Sequence, residues 1–286
     1  IDIMAGDSIV GAGGGTDGIE TQNMSNFVTQ PDNAGVLDLW RGPWPGILIS
    51  NIVLEAASSL NIDENIKNRS MGEAYFLRAN YYFILARYFG DVPLVTIPLS
   101  SDDDLLPPRN PVSEIYDLII SDLTNAIQLL PPKSSYSQQD IGRASKGAAY
   151  GILAKVYLTL GNYQEAVNLA TQVEGLGYAL NPNYASNFDI KNENSQESIF
   201  EVQYAADGGY SFWDNENQAS WASPFMGPRG SNFVGGSFGW NQPTQEFMNQ
   251  YEAGDLRKDI TVLYQGCPDF DGKPYQSSFA LTGYNV

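Results

Sequence analysis

The stretch SKGAAYGILAKVYLTLGNYQEAVNLATQVEGLG, residues 145–177, has the apolar spacing of two helices joined by a tight turn. Tyr150 and Leu153 begin a series of apolar residues at three- and four-residue steps in its first half. Gly161 lies where the chain must turn, and small residues in the second half, such as Ala166, let two helices approach closely. The stretch therefore predicts a helical hairpin.

The hairpin matches the 34-residue tetratricopeptide pattern at many of its defining positions. One such hairpin leaves an apolar face that stacked neighbours must cover, so further hairpins are expected. Helices predicted at 72–89 and 114–130 look like a second, divergent repeat with a long inserted loop. The predicted fold is mostly α, built from tetratricopeptide-like helical hairpins on a superhelical scaffold, with long irregular loops and a few short strands.

Three further helices are predicted from apolar periodicity outside this hairpin. The first runs from Trp40 to about Leu60, and the second from about Arg69 to Phe89. The apolar face of the second is formed by Leu77, Tyr81, Leu85 and Tyr88, and is widened by Phe76, Ala79 and Phe83. The third is expected to begin at Ser113 as its N-cap and to end at Pro131, because proline cannot continue a helix.

The chain changes character after residue 177. Residues 198–204, SIFEVQY, alternate like a half-buried strand, and about forty residues rich in Gly, Asn, Ser and aromatic side chains follow. An irregular stretch of this length inside a domain is usually functional. We expect residues 1–286 to form a single domain, incomplete at both ends, with a helical scaffold at about 40–177 and a loop-rich ligand-binding region at about 178–286.

Composition and charge exclude several classes of function. The 286 residues carry 33 acidic and 15 basic side chains, a formal charge of −18, which disfavours binding to a phosphate backbone. Histidine is absent, so Ser-His and Cys-His catalytic pairs cannot form within the chain. Cys267 is the single cysteine, which leaves no intrachain disulfide. No apolar run of eighteen or more residues and no signal peptide are visible.

Two short stretches call for an interpretation of their own. The Gly-rich run at 11–18 lacks the spacing of a dinucleotide fingerprint and the lysine of a phosphate-binding loop, so it predicts an ordinary loop. No cofactor is expected. The acidic triplet at 102–104 could hold a structural calcium ion, because calcium prefers carboxylate oxygens, and the alternative interpretation is a solvated loop.

Five blocks of sequence, in this order along the chain, resemble the SusD/RagB family. They are GEAYFLRANYYFILARYFGDVPL (72–94), NPVSEIYDLIISDLTNAIQLLP (110–131), GRASKGAAYGILAKVYLTLGNYQEAVNLA (142–170), ESIFEVQY (197–204) and QPTQEFMNQYEAGDLRKDITVLY (242–264). The resemblance extends from about residue 40 to the end. The lipidated cysteine and first helix of the family, and its helices after the Gly-Tyr pair here at 283–284, are not in the chain, which resembles an internal portion of a longer protein.

The resemblance implies a cell-surface nutrient-binding lipoprotein of the Bacteroidetes outer membrane. Members capture oligosaccharides or polysaccharides and deliver them to a SusC-like TonB-dependent transporter, without catalysis. Membrane contact would be through a lipid anchor outside this chain, and nucleic acid is no partner. Two alternatives stay open: peptide capture, as by RagB-like members, and glycoside hydrolysis by two carboxylates about 5–10 Å apart.

Sugar rings present apolar C–H faces beside many hydroxyl groups, so a glycan surface needs flat aromatic rings next to amide side chains. The region 207–240 supplies both. We assign the tryptophans that flank a predicted helix start, Trp40 and Trp44, to packing, while Trp240 is compatible with packing or binding. The predicted ligand-binding residues are Trp213, Trp221, Tyr210, Asn217 and Asn232.

Overall fold

The structure, a computed structural model, describes residues 2–11, 17–100, 106–205, 225–229, 231, 237–270 and 272–276. The chain forms two compact units, one of Leu37–Val202 and one of Ile1–Val36 together with Gln203–Val286. We call the first the helical unit and the second the terminal unit. The expectation of a single domain divided near residue 177 stays a prediction.

The described elements are mostly helices, as predicted. The α-helices are α1 (Asp2–Ala5), α2 (Ile19–Ser25), α3 (Ala34–Arg41), α4 (Pro43–Ser59), α5 (Glu64–Phe89), α6 (Val112–Leu129), α7 (Lys146–Thr159), α8 (Tyr163–Glu174), α9 (Gln245–Met248) and α10 (Lys258–Thr261). Strands β1 (Ser8–Ile9) and β2 (Gln242–Pro243) pair antiparallel, with Ser8 opposite Pro243.

Successive helices of the helical unit pack on one another, α4 on α5, α5 on α6, α6 on α7 and α7 on α8. This order confirms the predicted helical hairpins. Their shared core is aliphatic and aromatic, and burying such side chains is the main term that stabilises the unit. The largest fully buried apolar side chains are Tyr82, Phe76, Ile47, Leu85, Ile115, Ile119, Leu123, Leu130, Val92 and Val156.

Local capping explains where several of these helices begin or end. The carboxylate of Asp63 accepts hydrogen bonds from the backbone N–H groups of the first turn of α5, and Gly90 ends that helix at a positive φ of 66°. The hydroxyl of Ser145 accepts a hydrogen bond from the N–H of Ala148 at the start of α7. Gly161 turns the chain at φ 77°, as the sequence predicted.

Several details of the helix predictions were wrong. Helices α4 and α5 begin at Pro43 and Glu64 rather than at Trp40 and about Arg69. Helix α6 begins at Val112 and not after a Ser113 cap, because the carboxylate of Asp91 accepts the hydrogen bond from the Val112 N–H at 2.8 Å. Leu77 is 38% exposed on α5, whereas its neighbour Phe76 is fully buried. Leu85, Phe76, Ala79 and Phe83, which were predicted on or beside the same face, are buried, so the prediction of this face fails only at Leu77.

The predicted strand at 198–204 is also wrong, since these residues have no strand assignment. Alternation predicts an extended chain, but a strand needs a partner of matching register. Ile199 and Phe200 are exposed to a similar degree, so the expected alternation of burial is absent. The Phe200 ring packs edge to face on Phe76 at 5.0 Å, which fixes the segment by a side chain rather than by a sheet.

A buried ion pair joins three helices of the helical unit. Arg78 on α5 and Asp122 on α6 make two hydrogen bonds of 2.8 Å, and Arg78 also donates to the side-chain oxygen of Asn51 on α4 at 2.7 Å. Arg78 is 5% exposed and Asp122 is 1% exposed. Because every partner is satisfied, the pair avoids the cost of an isolated buried charge.

The same network holds the chain segment that follows α5. Asn51 donates to the carbonyl oxygens of Val95 and Ile97, and Arg78 donates to that of Thr96. The Tyr82 hydroxyl donates to the Val95 carbonyl and accepts from its N–H, and burial raises the pKa of Tyr82 to about 12. The segment therefore has its backbone groups paired by side chains rather than by a sheet.

No helix within the described residues is both long enough and apolar enough to cross a bilayer.

Candidate ligand-binding site

The five residues predicted to bind ligand, Trp213, Trp221, Tyr210, Asn217 and Asn232, lie outside the described residues. Their role stays a prediction. The acidic triplet at 102–104 also lies outside them, and the described part of the chain brings together no group of three or more acidic, cysteine or histidine residues suited to a metal ion.

The tryptophans assigned to packing do pack. Trp40 meets Trp44 edge to face at 5.3 Å and Phe89 at 5.1 Å, and both indoles lie against the core of the helical unit. The remaining described tryptophan, Trp240, belongs to the terminal unit, where it packs on Ile3 and Val10. Trp240 is thus at least partly structural.

Trp240 also belongs to a group of three aromatic side chains in the terminal unit. We call Phe225, Phe238 and Trp240 the aromatic cluster. The Phe225 ring lies 5.5 Å from Phe238 and 5.4 Å from Trp240. Two backbone hydrogen bonds hold the cluster together, from Gly239 N–H to the Gly227 carbonyl and from Trp240 N–H to the Phe225 carbonyl. Phe238 is 37% exposed, so part of this apolar surface is available to a ligand.

Every second residue from 237 to 241 has a left-handed backbone conformation. Ser237 has φ 43°, Gly239 has φ 74° and Asn241 has φ 59°. A non-glycine residue in such a conformation costs about 1–3 kcal/mol, and residues of this kind concentrate at functional sites. Ser237 is also buried, and its hydroxyl accepts a hydrogen bond from Ser231.

Both ends of the Gly-rich run at 11–18 contact this strained segment, which sequence analysis missed. A Cβ at Gly11 would collide with the Gly239 carbonyl oxygen, and a Cβ at Gly18 would lie 2.5 Å from the Trp240 ring. Both glycines have positive φ, 75° and 63°. Gly11 and Gly18 are therefore required for close approach to this segment, and both lie outside helices and strands, as the loop prediction expected.

Polar groups lie beside the aromatic cluster. Arg229 donates from Nε to the Phe238 carbonyl at 3.0 Å and pairs through Nη2 with the Asp17 carboxylate at 3.2 Å. The Ser8 hydroxyl donates to the side-chain oxygen of Asn241. Side chains that donate and accept hydrogen bonds next to apolar rings are what recognition of a hydroxyl-rich, partly apolar ligand requires.

A stack of helical hairpins combined with an irregular unit of aromatic and amide side chains is the architecture of a scaffolded binding protein. Residues 14–158 match the family model for SusD-like proteins, described as starch-binding and associating with the outer membrane. With half of its length matched, the chain belongs to the SusD-like family. These are binding proteins and not enzymes, in agreement with the sequence-based prediction.

Two curated relatives and one solved structure support this assignment. The chain is 30% identical to SusD-like protein P2 of Formosa agariphila over 87% of its own length and 49% of that protein. It is 29% identical to a SusD-like protein of Bacteroides ovatus over 90% of this chain and 49% of that protein. A laminarin-binding SusD-like protein superposes with TM-score 0.84 at 29% identity, over 92% of this chain and 60% of that one. The chain spans about half the length of these curated relatives.

Proposed function

We propose that this protein captures oligosaccharides at the cell surface and delivers them to a SusC-like TonB-dependent outer-membrane transporter. The observation that carries the proposal is the match over half of the chain to a family described as starch-binding and associating with the outer membrane. The similarity to a laminarin-binding structure supports a glycan as the cargo. A lipid anchor outside this chain would hold the protein at the membrane surface.

The chemistry of the terminal unit is compatible with this function. The exposed edge of Phe238 offers an apolar face for a sugar ring, and the neighbouring Arg229 and Asn241 offer polar groups for hydroxyls. Within this proposal, Trp213 and Trp221 are the main stacking residues, and Tyr210, Asn217 and Asn232 form hydrogen bonds to the ligand. Aromatic rings lose little side-chain freedom on binding, which makes them efficient contacts.

Binding to a defined panel tests the cargo. Titration calorimetry against laminarihexaose, maltohexaose and xyloglucan oligosaccharides is expected to detect at least one ligand, and a pool of short peptides is expected to give no heat. Incubation with the bound glycan should release no reducing sugar, because the chain belongs to a family of binding proteins. Binding of peptides alone, or turnover that one acidic substitution abolishes, would contradict the proposal.

Delivery to a transporter predicts a stable partner. The repeat scaffold presents outer helical faces that a ligand in the terminal unit does not need, and we expect such a face to dock on the barrel. Interfaces of lasting complexes bury a large area, so the pair should survive mild detergent. The check is co-purification of the native protein from outer membranes, and its isolation as a solitary protein would count against the transporter.

A further inference from the structure

The terminal unit is strongly acidic, and its basic residues are few. It contains 14 Asp and Glu residues and four Lys and Arg residues. The four are Arg229, Arg257, Lys258 and Lys273, and all of them lie in the described part of the unit. Three of the four, Arg229, Arg257 and Lys258, have side-chain contacts within the unit that bear on an anionic ligand.

Two of these cations are held by carboxylates of the same unit. Arg229 pairs with Asp17 at 3.2 Å. Arg257 pairs with Asp255 at 2.6 Å, and its hydrogen bonds to that carboxylate lower the pKa of Asp255 to about 2. An external carboxylate or sulfate would have to compete with these partners for the guanidinium groups.

The third cation lies on an aromatic ring. The Lys258 ammonium is 4.5 Å from the centre of the Tyr264 ring, and the Tyr264 hydroxyl donates to the Asp259 carboxylate. The acidic group next to this contact offsets the lysine charge toward any approaching anion. Arg229, Arg257 and Lys258 thus all have acidic residues of the terminal unit close by.

We propose that the terminal unit selects neutral glycans and rejects glycans that carry uronate or sulfate groups. This inference rests on the proposed function and specifies its class of ligand. A carboxylate or sulfate is recognised in proteins by guanidinium groups that bind it through two hydrogen bonds, and here those groups already bind acids. An anionic chain would also approach a surface with an excess of negative charge, whereas a neutral sugar requires only rings and amides.

The test compares each neutral oligosaccharide with its own oxidised form, in which primary hydroxyls have become carboxylates. Laminarihexaose, maltohexaose and xyloglucan oligosaccharides, with their oxidised derivatives, are titrated into the chain at 20 and at 300 mM NaCl. We expect the oxidised ligand to bind about tenfold more weakly at low salt and the difference to narrow at high salt, because ions screen exposed charges. Oxidised ligands that bind as tightly as the neutral ones at 20 mM salt would overturn the inference.

A pair of variants locates the effect. Asp17→Asn removes one negative charge and releases Arg229, whereas Asp32→Asn removes the same charge from an exposed residue of the same unit. For each variant we divide the affinity for the oxidised ligand by the affinity for the neutral ligand. Relative to the native chain, this ratio should rise several-fold more in Asp17→Asn than in Asp32→Asn. Equal ratios in the two variants and the native chain would overturn the inference. Failure of the proposed function is distinguishable, since it would appear as a loss of binding to every neutral glycan.

Discussion

Replacing Arg78 by Met is expected to destabilise the helical unit by about 3–5 kcal/mol, because it leaves the Asp122 carboxylate buried without its partner. A loss in the same range is expected for Asp122→Asn, which leaves the guanidinium uncompensated. Arg78 also donates hydrogen bonds to Asn51 and to the Thr96 carbonyl, so Arg78→Met should be the less stable of the two variants. The free energy of unfolding in urea, followed by helical circular dichroism, measures both.

A double variant distinguishes the cost of an unpaired buried charge from the contribution of side-chain packing. Arg78→Met combined with Asp122→Leu removes both charges, and replacement of a buried pair by apolar residues costs far less than removal of one partner. The double variant should therefore be more stable than Arg78→Met alone. Arg143→Met is the matched control, because Arg143 also bridges to α5 through Glu73 but is 46% exposed. Its loss should be below about 1 kcal/mol, and a loss equal to that of Arg78→Met would contradict this account.

The helical hairpins could be predicted from the sequence, whereas the buried ion pair of Arg78 and Asp122 could not. The hairpins followed from spacing within a few residues, so α7, Gly161 and α8 were predicted from local pattern alone. A charged residue inside a helix indicates solvent exposure unless its partner is known, and Asp122 is 44 residues away. The buried network therefore escaped prediction, because it depends on packing between helices.

The other errors have the same origin in distant partners. Ser113 was the natural cap by sequence, but Asp91, 21 residues before Val112, supplies the carboxylate. The segment 198–204 has the composition of a strand, yet pairing depends on a second segment that local alternation does not specify.

The aromatic cluster and the Gly-rich run show how much of the site could be predicted. Composition indicated an aromatic and amide surface after residue 204, and Trp240 was compatible with packing or binding. The approach of Gly11 and Gly18 to residues 239 and 240 joins positions more than 200 residues apart in sequence. Only the glycines themselves carried a signal, since a residue without a Cβ is needed where backbones and rings come this close.

The second large effect is expected on binding rather than on folding. Replacing Trp213 or Trp221 by Ala should weaken glycan binding by about 1–3 kcal/mol, by analogy with other aromatic stacking surfaces. The indole ring covers a whole sugar face, and its loss removes apolar contact that polar neighbours cannot replace. Titration calorimetry with the best neutral glycan measures the change, and Asn217→Ala or Asn232→Ala should reduce affinity less, because a hydrogen bond is worth about 1 kcal/mol net.

Thermal unfolding distinguishes a binding tryptophan from a packing one. Trp40→Ala is the control, because Trp40 contacts Trp44 and Phe89 at the core of the helical unit and its removal should lower the melting temperature clearly. Trp213→Ala and Trp221→Ala should instead melt close to the native chain while binding more weakly. Unfolding of either variant would assign that tryptophan to the core. If both variants bind glycan with native affinity, the binding surface lies instead at the exposed part of the aromatic cluster. Phe238→Ala should then weaken glycan binding.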